Sequence, residues 1–293
     1  MSGALYRFLF WLAATIGISF VAAPNFLALL EVTLDETFGT FFPVVPFATL
    51  LAVLLLLRWK EFARVLASEH GWRSNSSTRL LGVGIVAITL ILKPFTSESV
   101  YLAGLAIALD AYGTFLTINP LGIRTILPYS VVCFVGVVAP VVLLWGLGQP
   151  LAETSSALSA YLIGLSGIPV IWHGTQFQLT SKAGEIIAAA VTPGCSSIIS
   201  VTTFLGLLGL VHLDLRKDAL STAKVAIAGT AALILLNIVR IAILIWVGYT
   251  SGSTAFWSLH NWVGYAFFMG FYLAILPIYS RMEGPRFRPS VPR

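Results

Sequence analysis

The sequence predicts an all-α polytopic membrane protein with about eight transmembrane helices and a small extracytoplasmic β-element before the sixth. Of its 293 residues, 58% are hydrophobic and 10% are charged. An average soluble domain has roughly 25% charged residues. Long apolar segments recur along the chain, and one stretch with the alternating pattern of strands interrupts them.

The apolar segments are long enough, or nearly long enough, to cross a bilayer. We interpret the first as an uncleaved anchor rather than a signal peptide, because its apolar run is long. The third and fourth are joined by a very short turn around Thr96 and Ser97, which predicts a tight antiparallel hairpin. The predicted spans are residues 7–30, 41–57, 80–95, 98–118, 125–147, 195–213, 224–249 and 256–279.

The charges between these segments predict their orientation. The loops at 58–79 and 214–218 and the tail at 281–293 are basic, whereas the loop at 31–40 is acidic and contains no Lys or Arg. Basic loops are enriched on the cytoplasmic side. We therefore expect both termini to be cytoplasmic. The same rule accounts for the net charge of +5, so no nucleic-acid partner is implied.

Residues 148–194 depart from the apolar pattern. The run 157–167 is too short to span and is expected to form an interfacial helix. The following residues alternate around His173-Gly174 and Ala183-Gly184, which predicts two or three short strands. Because strand edges cannot face lipid, we expect this β-element outside the membrane. The chain then divides into a five-helix part at 1–147, the extracytoplasmic part at 148–194, a catalytic three-helix part at 195–280 and the basic tail at 281–293.

Cys195 follows Pro-Gly at the start of the sixth apolar segment. Thr192 can cap the next helix and Pro193 suits its first position, so Cys195 is predicted in the first turn. Free backbone N–H groups and the helix dipole favour a thiolate there. The alternative is a small buried hydrophobe. Cys133, in the middle of a span and flanked by valines, fits that alternative well.

Arg240 lies inside the seventh segment, on the order of 13 Å from its outer end. An unpartnered charge at this depth costs at least about 2.5–3.5 kcal/mol, which favours a polar cavity. Asn237, one turn earlier, could orient the guanidinium. A structural ion pair or snorkelling of the side chain is the alternative, although snorkelling is awkward from this depth. Asp110 lies deeper in the fourth segment, and its role stays open between a structural carboxyl and an ion path.

His260 lies one turn into the last segment, and Gly264, a turn further, would allow a neighbouring helix to approach closely. Cys195, Arg240 and His260 are thus predicted near the outer face on three separate spans. Thiolate, imidazole and guanidinium can serve as nucleophile, proton carrier and oxyanion stabiliser. His173 in the β-element is an alternative base, while His70 and His212 fall on the cytoplasmic side.

The ordered motifs "GCSS" with Cys195 and Ser196, "NIVR" from Asn237 to Arg240, and "HNWVG" from His260 to Gly264 resemble the exosortase/archaeosortase family of prokaryotic membrane transpeptidases. Motif support covers roughly residues 165–280. Many family members have Gly two residues after the catalytic cysteine, where this chain has Ser197. This departure bears on the subfamily and on the substrate motif.

The resemblance implies a cysteine protease or transpeptidase in the cell membrane of a prokaryote, with an extracytoplasmic active site. Its implied substrates are exported proteins with a C-terminal transmembrane helix and a basic tail. The acyl group would pass to an amine, a lipid or water. Membrane lipids surround the enzyme and are further implied partners. No cofactor or metal is expected. Two other classes are considered: a transporter or channel with Arg240 and Asp110 along a polar path, and a scaffold that docks partners on its β-element.

Overall fold

The computed structural model describes residues 3–25, 59–68, 76–97, 100–120, 123–215 and 217–282. The described chain is mostly helical and contains one small antiparallel sheet. It divides into two compact units, Met1–Val138 and Ala139–Arg293. The predicted span at 41–57, the acidic loop, His70 and residues 283–293 of the tail lie outside the described residues.

Eight helices and three strands make up the described chain. The helices are α1 Gly3–Ala22, α2 Trp59–Ala67, α3 Ser76–Ile91, α4 Lys93–Thr96, α5 Val100–Ile118, α6 Ile123–Leu165, α7 Ile198–Leu215 and α8 Ala219–Arg281. The strands are β1 Val170–His173, β2 Gln176–Thr180 and β3 Ile186–Ala190. Four stretches among the described residues are long and apolar enough to cross a membrane: Gly3–Ala22, Ile198–Leu215, Ala219–His260 and Trp262–Arg281.

In the first unit, α3 and α5 pack in the predicted antiparallel hairpin. A Cβ added to Gly82 would lie 2.7 Å from the Gly113 carbonyl oxygen, and one added to Gly113 would lie 2.9 Å from the Gly82 carbonyl oxygen. The two backbones therefore meet where neither helix has a side chain. The basic segment that was predicted as a loop contains α2, and Arg7 donates hydrogen bonds to the carbonyls of Leu66 and Ala67 at its end.

Helix α6 differs from the prediction, because 157–167 does not form a separate interfacial helix. The chain stays helical from Ile123 to Leu165. Polar side chains in the predicted break bond within the helix: Thr154 donates to the Pro150 carbonyl at 2.8 Å, and Gln149 donates to Glu153 at 2.9 Å. These bonds one turn apart let the polar stretch continue the helix.

The predicted β-element is present as a three-stranded antiparallel sheet in the order β1-β2-β3. Its inner face packs on α6 and α8. Phe177, Leu179 and Ile187 are at most 3% exposed and share one apolar cluster with helix residues. The helix residues of this cluster are Ala152, Ile163, Ile241 and Ile245. Burial of alternate strand residues fixes the position of the sheet on the helices.

Helix α8 is a hairpin of two helical arms. Gly252 has non-helical angles (φ 86°, ψ −178°) and turns the chain between the arms. The Thr222 hydroxyl near the start of α8 lies 2.8 Å from the Tyr279 hydroxyl near its end. The two arms are therefore antiparallel. Glycine adopts this positive φ without the steric cost of a side chain. The seventh and eighth predicted spans correspond to these two arms.

Candidate active site

Cys195 lies just before α7, at the end of a 3₁₀ turn that comprises Pro193–Cys195. The expectation that it lies in the first turn of an α-helix capped by Thr192 is therefore wrong in detail. Thr192 is extended and makes no side-chain cap; instead its hydroxyl lies 3.6 Å from the Cys195 sulfur. The turn is closed by bonds from the Cys195 and Ser196 N–H groups to the carbonyls of Thr192 and Pro193.

The two residues after Cys195 separate the 3₁₀ turn from the helix. Ser196 is buried, and its hydroxyl donates to the Pro193 carbonyl. Ser197 has a φ of 72°, and it is the only non-glycine residue of the described chain with a positive φ. Its buried hydroxyl has no hydrogen-bond partner among the described residues. The left-handed backbone of Ser197 cannot continue the 3₁₀ turn, and it changes the chain direction before the next helix. Helix α7 therefore begins at Ile198.

Arg240, on the first arm of α8, is 8% exposed and points its guanidinium between the two arms. One terminal nitrogen donates to the His260 carbonyl at 3.2 Å, and the other donates to the Asn237 side-chain oxygen at 3.4 Å. Its Cζ lies 6.0 Å from the centre of the Phe268 ring. No carboxylate pairs with Arg240 within the part of the chain that the structure describes. A buried guanidinium without a carboxylate leaves the thiolate as its available anionic partner.

His260 lies on the second arm and is half-buried against aromatic rings. Its imidazole centre is 5.8 Å from the Trp257 ring centre and 6.2 Å from that of Phe256. The Nδ1 atom is buried and has no hydrogen-bond partner among the described residues. The ring is thus held in place by packing against aromatic side chains, beside the Cys195 thiol.

The side chains of Cys195, Arg240 and His260 line one small cavity. The remaining lining residues are apolar and come from the sheet and the helical hairpin: Phe177, Ala189, Ala190, Val191, Ile241, Leu244, Ile245 and Phe256. A mostly apolar cavity with a few converging polar groups is typical of an active site. The three residues predicted from separate spans are brought together here.

Two further predicted residues support this arrangement. Asn237 is 1% exposed, and its amide nitrogen donates to the Cys195 carbonyl at 2.7 Å. A Cβ added to Gly264 would lie 3.2 Å from Arg240 Nε and 3.3 Å from its Cζ. Gly264 therefore leaves room for the guanidinium, while Asn237 connects Arg240 to the backbone of the cysteine turn.

The surroundings of the Cys195 thiol favour its ionisation. Burial raises its pKa, but hydrogen bonding to His260 and Thr192 and the positive charge of Arg240 lower it by more. The pKa falls from 9.0 to about 7 as a result. About half of the Cys195 side chains are then thiolates at neutral pH. The thiolate is the form that acts as a nucleophile.

The β2–β3 turn holds the bend of α8 through two hydrogen bonds. Neither bond is evident from the sequence. The Lys182 N–H donates to the Tyr249 carbonyl at 2.8 Å, near the end of the first arm. The Glu185 carboxylate accepts a bond of 2.9 Å from the Ser253 N–H, where the second arm begins. The turn thus satisfies backbone groups on both sides of Gly252. The signal available in the sequence was Gly252 between two apolar segments.

The other candidate residues lie away from this cavity or contact different groups. His173 is exposed at the end of β1 and does not line the cavity. His212 Nδ1 lies 3.1 Å from the Tyr279 hydroxyl, at the opposite end of the hairpin. Asp110 is fully buried in the first unit and accepts a bond of 2.8 Å from Ser19. It is therefore bonded to another helix, as one of the two interpretations expected. Cys133 lies on α6.

The fold and the cavity are those of a multi-pass membrane protein in which a thiol, an imidazole and a guanidinium line one cavity. A family model described as transmembrane exosortase (Exosortase EpsH) matches residues 33–277, which is 245 of the 293 residues. The chain belongs to this family, and membership implies a membrane enzyme that processes sorting signals. Searches of curated proteins and of solved structures found no match.

Proposed function

We propose that this chain is a cysteine transpeptidase or protease that cleaves C-terminal sorting signals of exported proteins at the outer face of the membrane. The observation that carries the proposal is the shared cavity of Cys195, Arg240 and His260. A thiol with a pKa of about 7 supports its use as a nucleophile. Family membership supports the class of substrate.

In the first half-reaction the Cys195 thiolate attacks the carbonyl carbon of the scissile peptide bond. A C–S bond forms and the carbonyl oxygen becomes an oxyanion, which the positive charge of Arg240 stabilises. When the intermediate collapses, the C–N bond breaks. Protonated His260 donates its proton to the leaving amine. The products are a thioester on Cys195 and a released C-terminal peptide.

In the second half-reaction an amine, a lipid hydroxyl or water attacks the thioester carbon. Neutral His260 accepts the proton of the attacking group, and the new bond to carbon replaces the C–S bond. The Cys195 thiolate and the imidazolium are regenerated. With water the net reaction is hydrolysis, and with an amine or hydroxyl it is acyl transfer. No metal or organic cofactor takes part in this scheme.

The test compares the C-termini of surface proteins in cells that carry the native chain, Cys195→Ala or Cys133→Ala. We expect a set of proteins to keep a C-terminal helix and basic tail only in the Cys195→Ala cells. The Cys133→Ala variant should process them normally. Unchanged C-termini with a stably inserted Cys195→Ala protein would overturn the nucleophile assignment.

The proposed orientation has a separate test. In the Cys133→Ala background, a membrane-impermeant maleimide added to intact cells should label Cys195. Labelling only after the inner face has been opened would reverse the orientation and remove the extracytoplasmic site. Detergent-solubilised protein provides the reference for complete labelling.

A further inference from the structure

We propose that the free edge of β3 binds the substrate segment that precedes the scissile bond, as an added fourth strand. This inference rests on the proposed function and specifies where its substrate lies. The ligand is an extended peptide, recognised through its backbone N–H and C=O groups. The proposal depends on the pairing of β3 and on its position beside the Cys195 cavity.

The hydrogen-bond pattern shows which backbone groups of β3 are free. The Val191 N–H donates to the Thr175 carbonyl, and the Ser181 N–H donates to the Glu185 carbonyl, both at 2.8 Å. Bonded pairs alternate along an antiparallel ladder. The backbone groups of Ala188 and Ala190 therefore point away from β2. Among the described residues, no hydrogen bond to these groups is found.

The side chains along this strand leave space for a second backbone. Residues 188–190 are three consecutive alanines, and Ala188 and Ala190 are exposed. A strand edge of this kind is a template for pairing with another chain. Charged side chains, which commonly block such edges, are lacking on β3.

The edge leads directly to the nucleophile. Ala189, Ala190 and Val191 line the same cavity as Cys195 and His260. The chain then reaches Cys195 through the short 3₁₀ turn. A peptide on this edge would thus present its end to the thiol without a further binding element.

The same geometry predicts the direction of the bound peptide. β3 runs toward Cys195, and the substrate residues before the cleavage point must also run toward it. Residues beyond the cleavage point must turn toward the membrane helix of the substrate. The added strand is therefore parallel to β3. In a parallel pair the peptide bonds to Ala188 and Ala190 through evenly spaced, slanted hydrogen bonds.

The first test replaces one outward N–H. Ala188→Pro removes a donor that the β2–β3 ladder does not use, whereas Ala188→Ser keeps it. The probe is a reporter that carries the C-terminal region of a surface protein whose processing requires Cys195. We expect Ala188→Pro to lower reporter processing at least tenfold and Ala188→Ser to lower it less than twofold. Iodoacetamide alkylation of Cys195, in the Cys133→Ala background, should stay within twofold in both variants.

Normal processing by Ala188→Pro would overturn the edge proposal and leave the proposed function intact. The Cys195→Ala variant tests the proposed function separately, because it removes the nucleophile and leaves the β3 edge unchanged. Loss of processing in that variant together with normal processing by Ala188→Pro would contradict the edge proposal only. The first test requires that the Ala188→Pro protein folds. A second test, with a photo-crosslinking amino acid, does not have this requirement. Placed at position 188, it should capture the reporter upstream of its cleavage point. Placed at Trp172 on β1, it should not, and equal capture at both positions would contradict the proposal.

Discussion

The amide nitrogen of Asn237 lies 2.7 Å from the carbonyl oxygen of Cys195 and donates a hydrogen bond to it. The same side chain accepts from Arg240 at 3.4 Å. One buried amide therefore ties the cysteine turn to the guanidinium. This link, together with helix packing, positions the cysteine turn relative to the guanidinium.

Asn237→Ala should slow reporter processing about tenfold, because the part-buried Cys195 carbonyl loses its partner at a cost of about 1–3 kcal/mol. Asn237→Asp should be slower still. Its carboxylate cannot donate to the Cys195 carbonyl, and it would compete with the thiolate for Arg240. Gln149→Ala, which removes an exposed amide on α6, is the matched control. Equal rates for the native chain and Asn237→Asp would show that the link has no role.

The rate of Cys195 alkylation should rise with pH around a midpoint of about 7, since the thiolate is the reactive form. Arg240→Gln should move this midpoint upward, because the cation that favours the thiolate is lost. Iodoacetamide kinetics in the Cys133→Ala background measure the midpoint without a substrate. Lys224→Gln, which removes an exposed cation near the start of α8, should leave it unchanged. A midpoint of about 9 in the otherwise native chain would contradict the assigned environment.

Gly264→Ala should reduce processing several-fold, because the new Cβ would lie 3.2 Å from Arg240 Nε and displace the guanidinium. Gly264→Val should abolish it. The control is Gly270→Ala on the same arm, where no atom lies within 4 Å of an added Cβ. Processing of the reporter and the alkylation midpoint are both measured. If Gly264→Val retained full activity, the close approach would have no functional importance.

Ser197→Gly should stabilise the protein by about 1 kcal/mol, because glycine adopts the φ of 72° without the steric cost that serine incurs. The change also removes a buried hydroxyl that has no partner among the described residues. A rise in Tm of roughly 2–4 °C in detergent is expected. Ser196→Gly should lower Tm instead, since Ser196 has an ordinary φ of −86° and its hydroxyl bonds to Pro193. A lower Tm for Ser197→Gly would contradict the strain argument.

The meeting of Cys195, Arg240 and His260 could be predicted because loop charge and apolar length predict a similar depth for the three residues. The β-element was predictable from alternation and from glycines at its turns. These signals depend on neighbours in sequence. They required no knowledge of which side chains touch.

Contacts between distant residues could not be predicted in this way. The bond from Asn237 to Cys195 joins residues 42 positions apart. The contact of Glu185 with Ser253 joins residues 68 positions apart. The continuation of α6 past Gln149 could not be predicted for a different reason: polar residues such as Gln149 and Glu153 are typical of a helix end, but here they bond to each other within the helix. The 3₁₀ turn at Cys195 depends on the backbone of Ser197, which residue type did not reveal.

The bend at Gly252 places His260 on the last helical arm of the described chain. Proteins are synthesised from the N-terminus, so Cys195 and Arg240 enter the membrane before His260 does. A nascent chain therefore carries the thiol and the guanidinium without the imidazole. The proposed enzyme becomes competent only when the second arm of α8 folds back against the first. We therefore expect a protein truncated after the first arm to lack activity, because it carries no His260.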